Sequence, residues 1–210
     1  CHRTGHDTPT PLEPGTAYDV EVPMMGIAQT VPPGHRLRLA ISTSYWPMIW
    51  PSPEPTTLTV HEAHSSLLVP SIDTPPMVRE PLFAPAESAV AGSISSTRDG
   101  SVSVRHIEDL GAQSTTVVDW RDDGVYVVDD VGTEVSFSRL RTSSIAASDP
   151  LSAWVDLEIR MSFRRDEWDV RIESDVSMSS DRDSFIVSGR LAAFDRGEVF
   201  AERRFEETIA

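Results

Sequence analysis

Serine, histidine and carboxylate are the residue types in this chain that could carry out hydrolysis or hold a metal. A hydrolytic serine works from a strained strand-to-helix elbow, Gly-x-Ser-x-Gly, because that turn lifts the hydroxyl beside an oxyanion hole. No such pentapeptide occurs in the sequence. The serine clusters GSISS at 92–96 and SMSSDRDS at 177–184 suit turns and wet strand faces, where hydroxyls satisfy nearby backbone groups. Two histidine pairs, His2 with His6 and His61 with His64, offer imidazoles at short spacing. The first pair has the four-residue spacing that aligns ligands on a helix, but Gly5, Pro9 and Pro11 oppose a helix there. Asp129, Asp130 and Glu134, or Asp181 and Asp183, could gather around Ca²⁺, yet their spacing fits no EF-hand and aspartates are ordinary turn residues. The sequence therefore predicts no catalytic residue, no metal ligand and no cofactor site.

A different chemistry is concentrated between residues 44 and 55, SYWPMIWPSPEP. Tyr45, Trp46 and Trp50 are large rings interleaved with Pro47, Pro51, Pro53 and Pro55, and such rings can wall an apolar pocket or stack on a sugar. These three are the candidate binding residues. The alternative is a loop packed onto its own domain to supply burial.

The elements that would position these groups read as strands throughout. AYDVEVP at 17–23 and HRLRLAIST at 35–43 alternate apolar and polar residues, and VPPG at 31–34 between them supplies a proline-fixed turn with a glycine able to take positive φ. TTLTVH at 56–61 and SSLLVP at 65–70 predict a hairpin across 62–64. A proline-rich connector follows at 70–85 and places a boundary near 80–88. Beyond it, strands are predicted at 101–107, 114–120, 124–129 and 133–141, with RDDG at 121–124 as a tight turn. Val155, Leu157, Ile159, Met161 and Phe163 alternate strictly with polar residues, a period of two that recurs at 168–178, 184–194 and 198–207. The segment 142–153 comes nearest to a helix, and Asp149-Pro150 opposes one there. The expected fold is all-β: a jelly-roll-like antiparallel β-sandwich, its first part in 1–80, with an additional antiparallel region at 81–210 that extends it as a meander or forms a second β unit.

Composition narrows the partners. A hydrophobic share of 39% is enough for a folded core despite the prolines. The net charge of −15 repels phosphate backbones and anionic lipid, which argues against nucleic acid and membrane as partners. With Cys1 as the single cysteine, no internal disulfide can form. Residues 1–20 lack the layout of a signal peptide, so a cytoplasmic setting is expected. Homo-oligomerisation is left open.

The row LEPGTAYDVEVPMMGIAQTVPPGHRLRLAISTSYWPMIWPSPEPTTLTV at 12–60 resembles the C-terminal jelly-roll of the cocaine esterase and X-Pro dipeptidyl-peptidase family of serine hydrolases. PPGHRLRLAIS followed by YWPMIWPSPEP carries most of that resemblance, with CHRTGHD at 1–7 and DPLSAW at 149–154 adding to it. In that family an α/β-hydrolase domain holds the Ser, Asp and His triad upstream of the jelly-roll. The resemblance thus implies a non-catalytic accessory domain whose partner is a catalytic α/β-hydrolase domain of the same polypeptide. What it carries over is structural: Gly34, His35 and Arg36 at a turn into a strand, and Tyr45, Trp46, Trp50 and Pro51 in the loop.

Overall fold

A computed structural model describes residues 10–72, 83–89 and 92–210, and the chain divides into two units, Cys1–Ile41 and Ser42–Ala210. In the first unit the turn predicted at 31–34 forms, and a second one, not predicted, closes at 13–16. The Glu13 carbonyl accepts from the Thr16 N–H at 3.2 Å around Gly15, and the Pro32 carbonyl accepts from the His35 N–H at 3.1 Å around Gly34. Both glycines hold positive φ, 79° and 84°, as the third residue of a type II turn requires.

The strands expected at 17–23 and 35–43 do not form ladders, and neither do those at 56–61 and 65–70. Val20, Val22, Leu37, Leu39 and Ile41 stand exposed. Alternation assigns residues to faces, but a strand also needs a neighbour for its N–H and C=O groups, and among the described residues none is paired with these segments. In place of the hairpin turn at 62–64, Glu62–His64 closes a single 3-10 turn, with His64 N–H donating to the His61 carbonyl at 2.9 Å. The predicted boundary at 80–88 falls partly outside the described residues, as do most of the proline connector and the His2 and His6 pair; residues 83–89 carry no strand.

From residue 94 onward the chain is a single antiparallel sheet. Its strands are β1 Ile94–Arg98, β2 Ser101–Asp109, β3 Ser114–Val128, β4 Thr133–Ala146, β5 Asp149–Arg165, β6 Trp168–Ser180, β7 Phe185–Asp195 and β8 Glu198–Ile209. The order is β1-β3-β4-β5-β6-β7-β8, and β2 lies beside β1 on the same flank of β3. The all-β expectation holds, as an open eight-stranded sheet consistent with a layer of a β-sandwich.

RDDG at 121–124 is not a hairpin turn. β3 runs straight through it with a bulge between Asp122 and Val125, because β4 pairs with β3 on both sides of the irregularity. Gly124, at φ 80°, makes the bulge possible: a Cβ there would collide with the Arg98 carbonyl and the Gly100 N–H, where the chain crosses from β1 to β2. Sequence periodicity missed β1, a polar ISSTR. It also stopped β4 short, since the strand continues through Ala146 and meets β5 at Asp149, with Pro150 placed at a strand start where its missing donor does no harm.

The register sorts the side chains into two faces. Val135, Phe137, Val155, Leu157, Ile159, Met161, Phe163, Val170, Ile172, Val176, Val187 and Leu191 share the apolar face. Their polar neighbours, among them Glu158, Arg160, Glu173, Asp175, Arg190 and Glu202, share the other. Full burial among the described apolar residues is confined to Val117, Ala153 and Ala192, and Trp168, Ile172 and Leu191 remain exposed on the apolar face. Phe205 of β8 lies across its register partner Gly189, where a Cβ would overlap the ring. The missing side chain on β7 thus seats the aromatic on β8 and fixes the register of the two last strands.

Candidate functional site

The aromatic loop is held at one corner of the sheet. Its single turn forms when the Tyr45 carbonyl accepts from the N–H groups of Met48 and Ile49, each at 2.9 Å. Pro51 follows directly on Trp50 and cannot extend that turn into a helix. The Trp50 indole N–H donates to Ser180 Oγ at 2.9 Å, and its ring meets Phe185 edge-on, with centroids 5.6 Å apart. Ser180 and Phe185 are register partners on the apolar face, so Trp50 covers the edge of that face. Trp46 packs edge-on against Trp50 at 5.2 Å. Glu54 pairs with Arg182 in the β6–β7 turn and fastens the far end of the loop.

The three predicted site residues are therefore brought together, in unequal states. Trp46 and Trp50 are half-buried, while Tyr45 is 66% exposed. The Trp46 indole nitrogen is buried without an acceptor. A buried donor left unpaired costs about 1–3 kcal/mol, so this corner holds one unmet hydrogen bond beside one free ring.

Of the carboxylates considered for calcium, Asp181, Asp129 and Glu134 have structural partners. Asp181 Oδ1 accepts from the backbone N–H groups of Asp183 and Ser184 at 2.8 and 2.7 Å, closing the β6–β7 turn. Asp129 accepts from Ser93 and Ser95 and ties down the start of β1. Among the described residues no group of His, Cys, Asp or Glu is placed to hold a metal ion.

Periodicity missed two charged clusters. On the polar face Arg190 reaches Glu173 and Glu202 at 3.1 Å and Asp175 at 3.5 Å, Arg160 reaches Asp175 at 2.6 Å, and Arg204 reaches Glu202 at 2.8 Å. The hydrogen bond from Arg204, and then that from Arg190, holds the Glu202 carboxyl below the usual range, and Arg190 is raised mainly by Glu173. A depression of about 650 Å³ is lined by Asp175, Arg190 and Arg204 of this cluster together with Glu158, Leu157 and Phe205, and both of its arginines are paired with carboxylates. Alternate polar residues on adjacent strands were the available signal, since the register sets them opposite one another.

The second cluster lies on the apolar face. Asp119 of β3 takes both Arg139 at 2.9 Å and Arg141 at 3.2 Å, and the Nε of each arginine is buried without a partner. Two guanidinium groups on one carboxylate leave a surplus positive charge on a mainly apolar surface. Such a group suits contact with a carboxylate brought by another surface. Neither cluster supplies a nucleophile activated by a base; both suit docking better than bond breaking.

Residues 1–89 match the family model of the X-Pro dipeptidyl-peptidase C-terminal non-catalytic domain. The matched span contains the row at 12–60 and the whole aromatic loop. No curated protein and no solved structure matches the chain.

Proposed function

We propose that this chain, whose residues 1–89 carry the non-catalytic C-terminal domain of X-Pro dipeptidyl-peptidase-like enzymes, stabilises the α/β-hydrolase domain of a larger acyl esterase or X-Pro dipeptidyl-peptidase and borders its substrate entrance. The observation that carries the proposal is the exposure of Val20, Val22, Leu37, Leu39 and Ile41 inside the matched span. These residues have strand alternation and no ladder, so a second domain would both bury them and order them. Covering each such side chain is worth about 1.5–3 kcal/mol, enough for a few of them to hold two domains together. Tyr45, exposed at the rim of the loop, is the ring best placed to face an incoming substrate. A cytoplasmic setting belongs to the same proposal.

A second reading, a free-standing ligand-binding β module, draws on the exposed Tyr45 ring and the unpartnered Trp46 indole. It accounts for the loop but leaves the apolar residues at 20–41 unexplained.

The chain alone is expected to hydrolyse neither Xaa-Pro p-nitroanilides nor p-nitrophenyl acyl esters above the buffer rate. Co-expressed with an α/β-hydrolase domain of the X-Pro dipeptidyl-peptidase type, it should co-purify and raise that domain's Tm by several degrees. The Val22→Asp, Leu39→Asp double variant should lose both effects. Turnover by the chain alone, or co-purification indifferent to the double variant, would count against the proposal.

A further inference from the structure

The free edge of β8 carries a charge pattern that is complementary to itself. β8 pairs with β7 and closes the sheet on that side, and every one of its residues is exposed. Its centre reads Arg203-Arg204-Phe205-Glu206-Glu207. Two copies of such a strand, antiparallel about a two-fold axis through Phe205, place Arg203 opposite Glu207 of the second copy and Arg204 opposite Glu206 of the second copy. Symmetry repeats both pairs. Moving the axis by one residue sets Arg204 against itself in one direction and Glu206 against itself in the other. Opposite charges directly across an antiparallel pair are favourable and like charges are not, so the pattern selects both the orientation and the register.

We propose that β8 is a homodimerisation edge, joining the sheets of two copies of this chain by antiparallel β8–β8 pairing centred on Phe205.

Three observations support a second copy over another strand. Among the described residues Arg203, Glu206 and Glu207 form no ion pair, and Arg204 is paired with its strand neighbour Glu202. The register places Arg203 and Glu207 opposite Leu191 and Val187 on the apolar face, where charge deters a foreign strand. A second copy supplies the countercharge at the same positions, so an ordinary edge-protecting device becomes a selective one. The opposite flank offers no such edge. There the pairing is split between β1 and β2, the chain crosses tightly at Gly100 and Gly124, and Arg98 is engaged by Asp122 at 2.7 Å.

The net charge of −15 also pushes copies apart, so salt affects both terms and does not discriminate. Charge reversal does. By sedimentation velocity at tens of micromolar, the full chain should be a dimer. The R203E/R204E and E206R/E207R variants should each self-associate about 100-fold more weakly, although one makes the chain more acidic and the other less. An equimolar mixture of the two should recover the dimer as a heterodimer, since each edge then meets its complement. In the unsubstituted chain, amide hydrogen exchange across 201–208 should slow as concentration rises. A monomeric chain, reversed variants that remain dimeric, a mixture that does not associate, or exchange at 201–208 independent of concentration would each overturn the proposal.

Discussion

Residues 17–43 and residues 94–209 carry the same sequence signal, apolar residues alternating with polar ones, and reach different structural states. In the later region the alternating segments become paired strands of one eight-stranded sheet. In the earlier one the turn at Gly34 closes, and among the described residues the segments on either side of it form no ladder. Length and connection explain the difference. β3 to β8 are 11 to 17 residues long and join through short turns, so each strand finds the next one a few residues away and pays little loop-closure entropy. The segment at 17–23 is short, and 35–43 lies beyond a wider loop and a turn that sets direction but recruits no third strand. A two-stranded unit is marginal in water, whereas three or more strands with a shared apolar face sustain one another.

The widest separation of the two regions should appear in amide hydrogen exchange on the chain alone. Amides in β4, β5 and β6, paired on both sides, are expected to exchange at least about a thousandfold more slowly than those at 17–23 and 35–43. Equal protection in the two regions would mean that ladders form in the first as well, and the comparison would fail. If binding to a hydrolase domain slowed exchange at 17–43 alone, it would sharpen the comparison by showing what completes that region.

A pair of glycines tests the same contrast at single residues. Gly34 and Gly124 have nearly the same backbone angle, φ 84° and 80°. A Cβ at Gly34 meets nothing within 4 Å, whereas at Gly124 it meets the backbone of the β1–β2 crossing. Gly34→Ala should therefore cost only the left-handed strain, about 1–2 kcal/mol at most, and leave the sheet's unfolding midpoint in urea unchanged. Gly124→Ala adds a backbone collision that no rotamer can relieve and should lower the sheet's stability by about 3 kcal/mol. Similar losses of sheet stability from the two substitutions would show that the first unit and the sheet unfold as one body.

Periodicity was sufficient for β5 to β7 because each has one apolar and one polar face and ends at a polar turn. It failed at Arg121 to Gly124, where Asp-Gly has the same local preference in a reversal and in a bulge, and only the uninterrupted partner β4 decides between them. It failed at β1, whose ISSTR has no apolar alternation and is held by Asp129 through Ser93 and Ser95 and by the Arg98–Asp122 pair. The aromatic loop was legible as a cluster, and Trp50 was not legible as its anchor, because Ser180 and Phe185 lie more than a hundred residues away in sequence. Longer motifs behaved in the reverse manner. The row at 12–60 lies inside the span that matches the family model, yet its expected strands form no ladder, since a motif is a property of the segment and a ladder needs a neighbour beside it.

The smallest expected effect is an acid dependence confined to the sheet. Arg98 and the Gly124 N–H hold the Asp122 carboxyl below its usual value, chiefly through the Arg98 hydrogen bond. A carboxylate whose folded value is depressed contributes stability that is fully present above its unfolded value, near 3.9, and is lost as pH falls through the folded value. The sheet's urea midpoint should accordingly be flat from pH 7 to about pH 5 and decline below pH 4. Exposure of the Arg98 side chain, 52%, leaves the pair screened by water and keeps its contribution small. Asp122→Asn keeps the size of the group, forfeits that contribution at neutral pH and should flatten the decline below pH 4. An unchanged acid slope in Asp122→Asn would shift responsibility to the Glu202 cluster on the polar face, whose carboxyl is depressed by Arg204 and Arg190 in the same direction. Either way the acid response arises from ion pairs between neighbouring positions of the sheet, Arg98 with Asp122 and Glu202 with Arg190 and Arg204.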